Sequence, residues 1–82
     1  LSENIRYPVI AQENGIQGRV ICQFVVNTDG SIVDIQVVRG VHPSLDEEAV
    51  RVIKSMPKWV PGKQRGKPVR VRFTLPINFK LQ

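Results

Sequence analysis

The residues able to do chemistry are few. His42 is the sole histidine, Cys22 the sole cysteine, and Asp46, Glu47 and Glu48 stand together just after Ser44. A metal centre takes three or four ligands, and no second soft ligand accompanies His42 in its segment. Ser44, His42 and Asp46 are the residue types of a nucleophile, a base and an orienting acid. Yet Ser44-Leu45-Asp46-Glu47 also reads as S-x-x-E, in which a serine caps a helix. On that reading the acids face the positive end of a helix dipole and not a substrate. Cys22 falls among alternating apolar residues, where a thiol packs as a small hydrophobe. One cysteine cannot form an intrachain disulfide and leaves the redox compartment open. Gly62 and Gly66 do not join a strand to a helix, as a phosphate-binding loop requires. The residues point away from an enzyme, a metal or a cofactor.

What remains is charge and pattern in the last third. Between Lys58 and Arg72 lie six basic residues and no acidic one, in a chain of net charge +5. Such a stretch suits a solvated loop, or a surface for an acidic partner, nucleic acid or anionic lipid. Nucleic-acid modules display aromatics for base stacking or a basic helix or loop that tracks phosphates. Here Phe24, Phe73 and Phe79 fall on the apolar side of predicted strands, so nucleic acid is not the expected partner. From Val69 to Phe79 the odd positions are Val, Val, Phe, Leu, Ile and Phe, and the even positions from Arg70 are polar or Pro76. That alternation is a strand with one apolar face. A proline within it places the strand at a sheet edge, and a long open edge invites pairing with another chain.

The elements that must position this edge follow from local signals. At 82 residues the chain makes one small domain with a thin core. The pattern predicts a two-turn helix over Pro8–Asn14, stopped by Gly15. Gly18 opens a strand with Val20, Cys22, Phe24 and Val26 on one face, and Asn27-Thr28-Asp29-Gly30 turns it back into a second strand, Ser31–Arg39. That second strand is apolar on both sides, so it either packs on both faces or contains a bulge. A second helix carries Leu45, Ala49, Val52, Ile53 and Met56 on one face and ends at Pro57. The order α-β-β-α-β predicts an α+β fold, with two helices on one face of a three-stranded antiparallel sheet. The third strand, about 11 residues long by its pattern, is expected to overhang its neighbour. Trp59 is expected to anchor a loop over the second helix.

These residues carry a resemblance. Tyr7-Pro8, Ala11-Gln12, Gly15-Ile16-x-Gly18-x-Val20, Phe24-x-Val26, Asp29-Gly30, Trp59-Val60-Pro61-Gly62-Lys63 and Gly66-Lys67-Pro68-Val69 occur in an order that resembles the C-terminal domain of TonB. The resemblance runs from Tyr7 to about Leu81. It implies the same sheet, with strand three at the edge beside strand one. It also implies a periplasmic domain, tethered to the inner membrane by a segment outside this chain; Leu1 in place of an initiating Met fits a fragment of a longer protein, with residues 1–82 forming one domain. The implied partner is an outer-membrane transporter, whose TonB-box peptide adds as a strand to the edge. The implied role is coupling an inner-membrane, proton-driven motor to active transport.

By this resemblance the peptide-binding residues are Val69, Arg70, Val71, Arg72, Phe73, Thr74 and Leu75. Arg6, Tyr7 and Pro8 are a second contact with the transporter. The chain departs from the family pattern at Pro61, where many members place an aromatic, and at Ile10, where some carry Arg. The same fold could instead serve as an interaction module fused to a sensor, peptidase or scaffold, and an open edge can recruit a second copy of the chain.

Overall fold

The computed structural model describes residues 5–81. The central strand β1 (Gly18–Val26) is flanked by β2 (Ile32–Arg39) and β5 (Val71–Phe79), both antiparallel to it, in the order β2-β1-β5. Helices α1 (Val9–Glu13) and α2 (Pro43–Ser55) complete this unit. A separate two-stranded ribbon, β3 (Gly62–Gln64) and β4 (Lys67–Val69), precedes β5. The α+β arrangement with strand three at the edge is the expected one.

The core forms where alternation and helical period meet. Val20, Cys22, Phe24 and Val26 of β1, Leu45, Ala49 and Ile53 of α2, Ala11 of α1, and Ile77 and Phe79 of β5 form one buried cluster. The edge strand β2 resolves the two-faced pattern with bulges. Phe24 opposes two residues, because Gln23 pairs with Gln36 and Val25 with Val33. The extra residue reverses the alternation, so Ile32 packs on the core together with Ile35 and Val37. Asp34 takes the left-handed backbone there, at φ 53. A second irregularity leaves Val38 out of the ladder and 55% exposed.

Three local expectations need correction. Helix α1 is one residue shorter at each end than the Pro8–Asn14 span implies: Pro8 is the extended residue before it and Asn14 the residue after it. Ser44 does not cap α2. Pro43 occupies the first turn, and a residue before proline is driven into extended backbone, so His42 becomes the cap; its Nδ1 accepts the Ser44 amide at 3.2 Å. Asp46 turns back to accept the Val41 amide at 3.0 Å. Finally, the strand expected from Val69 to Phe79 breaks at Arg70. All nine residues of β5 pair with β1, so there is no overhang.

Candidate functional site

The open side of β5 is the candidate site, and Pro76 orients it. A strand residue points its N–H and C=O to the same side, and residues two apart point alike. Pro76 lies opposite Ile21 in a register that runs unbroken from Gly18↔Phe79 to Val26↔Val71. A proline fits such a ladder where its nitrogen faces away from the partner strand. The even residues Arg72, Thr74 and Asn78 therefore present backbone donors and acceptors outward, and Pro76 an acceptor alone. The odd residues spend theirs on β1.

Side chains divide the same way. Arg72, Thr74, Pro76 and Asn78 are exposed. Asn78 accepts from Arg19 Nε at 2.9 Å, and Thr74 lies 3.4 Å from the Gln23 amide. Ile77 and Phe79 are buried, but Val71, Phe73 and Leu75 are half-buried. The helices thus seal one end of β5 and leave an apolar shelf at the other. Trp59 roofs part of that shelf: its ring lies 5.3 Å from Phe73 and 5.1 Å from Phe24, edge-on to the latter. Its amide donates to the Gly30 carbonyl at 2.9 Å. A Cβ on Gly30 would sit 2.4 Å from the Trp59 oxygen, so glycine is required there for contact as well as for φ +86. Trp59 is an anchor as expected, but on the β1–β2 turn and the sheet, where the expectation was α2.

Of the residues expected at the edge, Val71 to Leu75 lie on β5. Val69 does not: it belongs to β4, opposite Gly62. Arg70 lies between β4 and β5 and spans the central strand to Asp34 at 3.0 Å. Val71 packs so close to Gly62 that a Cβ there would meet its Cγ2 at 2.5 Å, so glycine is required where the ribbon meets β5.

Arg6, Tyr7 and Pro8 form a fixed corner. The Tyr7 hydroxyl donates to the Ile16 carbonyl, and its ring meets Phe79 edge-on at 5.7 Å. The Arg6 amide donates to Glu48 Oε2 at 2.7 Å. Arg51 reaches the same carboxylate with Nε and Nη2, at 2.7 Å each. Arg51, foremost, and the Arg6 amide hold the Glu48 carboxyl below its ordinary value against the opposing effect of burial. Sequence reasoning missed Glu48. Its i,i+3 spacing to Arg51 was a signal; its contact with Arg6, 42 positions away, left none. What stays exposed in this corner is the Arg6 side chain, with Val9 and Ile10 beside it at 67% and 54%.

Elsewhere the groups that could do chemistry are spent on structure. Cys22 is fully buried, and burial followed by the Asp46 charge pushes its thiol up, away from the reactive thiolate. Among the described residues no three His, Cys, Asp or Glu side chains are grouped to hold a metal ion, and no helix is long and apolar enough to cross a membrane.

A small α+β domain with one regular open strand has the architecture that strand addition requires. The family can be named. Residues 3–81 match the model of the Gram-negative bacterial TonB protein C-terminal family, and the chain belongs to that family. Protein TonB of Helicobacter pylori strain 26695 is 35% identical over 83 residues, covering all of this chain and 28% of the relative. Protein TonB of Pseudomonas aeruginosa is 38% identical over 93% of this chain and 22% of its own length. That of Vibrio cholerae is 35% identical over 94% and 32%. The chain thus spans about a third or less of these relatives. Two solution structures of the H. pylori TonB C-terminal domain share the fold. Residues 179–285 of that protein give a TM-score of 0.77 at 35% identity, covering 99% of this chain and 73% of that one. Residues 194–285 give 0.71 at 34%, covering 96% and 83%.

Proposed function

We propose that this domain is the periplasmic coupling end of a TonB-type energy transducer. It binds the TonB-box peptide of an outer-membrane TonB-dependent transporter by strand addition along β5. Val71 to Leu75 form the docking segment, Val69 and Arg70 flank it, and Arg6, Tyr7 and Pro8 make a second contact. The protein beyond this chain tethers it to the inner membrane and to a proton-driven motor. The work is mechanical and requires no catalysis or cofactor by the domain.

The observation that carries this reading is the contrast between the sheet's two edges. β2 is interrupted twice, and such bulges blunt an edge against further pairing. β5 is regular for nine residues and half-covered on its apolar side. A peptide laid along it gains main-chain hydrogen bonds from Arg72, Thr74 and Asn78. Its alternate side chains can pack on Val71, Phe73 and Leu75. A load applied along the strands stresses those bonds together, which suits a domain that pulls.

The test is an amide-resolved NMR titration with TonB-box peptides. The largest shifts are expected at Arg72, Thr74 and Asn78, whose N–H groups face outward. Shifts confined to α2, to β2 or to the Asn27–Gly30 turn would overturn the assignment.

A further inference from the structure

The β3–β4 ribbon meets the edge described above at its base, where Gly62 pairs with Val69, and it carries three cations and no acidic residue. Arg65 and Gly66 form its two-residue turn, both left-handed at φ 54 and 77, as a tight hairpin demands. Residues 63–68 are all exposed, and nothing lies within 4 Å of a Cβ placed on Gly66, so the tip stands clear of the body. Lys63 pairs opposite Pro68 and Lys67 opposite Gln64. Successive strand residues face opposite sides, so the two lysines lie on opposite faces of the ribbon with Arg65 at its tip. None of the three has an ion-pair partner among the described residues. No acidic residue follows Glu48 anywhere in the chain. At the ribbon's base Val60 is 83% exposed, two residues from Lys58.

We infer that this ribbon is a docking element for a bilayer surface bearing anionic lipid headgroups. The shape decides between partners. A groove that binds an acidic peptide gathers its cations on one side, whereas these surround a convex tip. An extended anionic plane engages all three at once when the tip presses on it. Each basic residue near an anionic surface contributes about 1 kcal/mol, and Lys63, Arg65 and Lys67 supply three together, with Lys58 close to the ribbon in sequence. An isolated two-stranded ribbon is marginal in water, so a surface that neutralises its charge also orders it. This role stands apart from strand addition at β5.

The test is sedimentation of the 82-residue chain with phosphatidylcholine vesicles, with and without phosphatidylglycerol, at low and higher salt. Binding is expected only with phosphatidylglycerol and weakens as salt rises. The triple change Lys63→Gln, Arg65→Asn, Lys67→Gln keeps a residue that tolerates the left-handed turn and should lower partitioning about a hundredfold, roughly fivefold per charge. A control triple with the same loss of charge, Arg39→Gln, Lys54→Gln, Lys80→Gln, should cost far less. Equal losses from the two triples would overturn the inference. So would binding to polyglutamate but not to the vesicles, which would assign the ribbon to an acidic protein segment. NMR of the unaltered chain with anionic bicelles guards against misfolded variants: broadening should centre on residues 58–68, and broadening centred on α2 or β2 refutes the assignment. TonB-box peptide shifts along β5 should be the same in the hairpin triple, so the two readings fail separately.

Discussion

Glu48 offers the sharpest test of how the leading segment is held. Its residue is 9% exposed, and its carboxylate accepts one amide and two guanidinium hydrogen bonds at 2.7 Å. In Glu48→Ala the half-exposed Arg51 turns to water, but the Arg6 amide loses its partner. A hydrogen bond to a charged group contributes about 1.5–3 kcal/mol, so a loss of about 2 kcal/mol is expected. For a domain of this size that lowers Tm by roughly 8–16 °C. Glu48→Gln keeps an acceptor oxygen and should lose about half as much.

The pH dependence has a definite sign. The folded carboxyl titrates below its ordinary value of 4.5, so its contribution is complete above that value and is lost as pH falls through the folded one. The difference between the parent chain and Glu48→Gln should therefore be constant near neutrality and shrink in acid. Circular dichroism melts give the stability, and hydrogen exchange at the Arg6 amide gives the local effect. A Glu48→Ala variant with unchanged Tm and unchanged Arg6 exchange would refute the reasoning.

Four other outcomes are expected. Arg72→Pro removes an outward N–H and should weaken TonB-box peptide binding about tenfold with little change in the melt, whereas Val71→Pro removes an inward one and should destabilise the fold by about 1–3 kcal/mol; equal melts for the two variants would show that the outward set is misassigned. Trp59→Ala, which strips the cover from Phe24 and Phe73, should cost about 2–3 kcal/mol in denaturant unfolding, and a loss below about 0.5 kcal/mol would deny it an anchoring role. Cys22 should resist thiol reagents in the folded chain and react at the rate of unfolding; rapid native-state labelling contradicts its burial. Sedimentation equilibrium should show any self-association of the chain to be weakened by Arg72→Pro, and dimers indifferent to that change would use another surface.

Sequence and structure agree where the determinants are local. The alternation of β1, the apolar face of α2 and the Asp29-Gly30 turn each state their own geometry, and Pro76 marks the edge by chemistry alone. The break at Arg70 was hidden because alternation reports side-chain faces and is blind to which backbone lies alongside. Val69 and Val71 keep the same parity on either side of it. The two-residue Arg65-Gly66 turn was the available signal, since it closes a ribbon that must use Val69. The cap at His42 follows from Pro43 once extended backbone is weighed above the S-x-x-E pattern. The Glu48–Arg6 contact is tertiary and has no local trace. In β2, apolar residues of both parities announced that something must give, and packing decided that it would be the backbone at Asp34.

The two bulges of β2 also set the valence of the molecule. A sheet with two good edges is a monomer for a chain reaction, since each added copy exposes a fresh edge and growth has no natural end. With one edge spoiled, addition stops after a single event. A second copy would close the pair, and a foreign strand would close it equally well. On the proposed reading, self-pairing and peptide capture would compete for one vacancy, and raising the concentration of the domain would withdraw it from its partner without driving it into fibres.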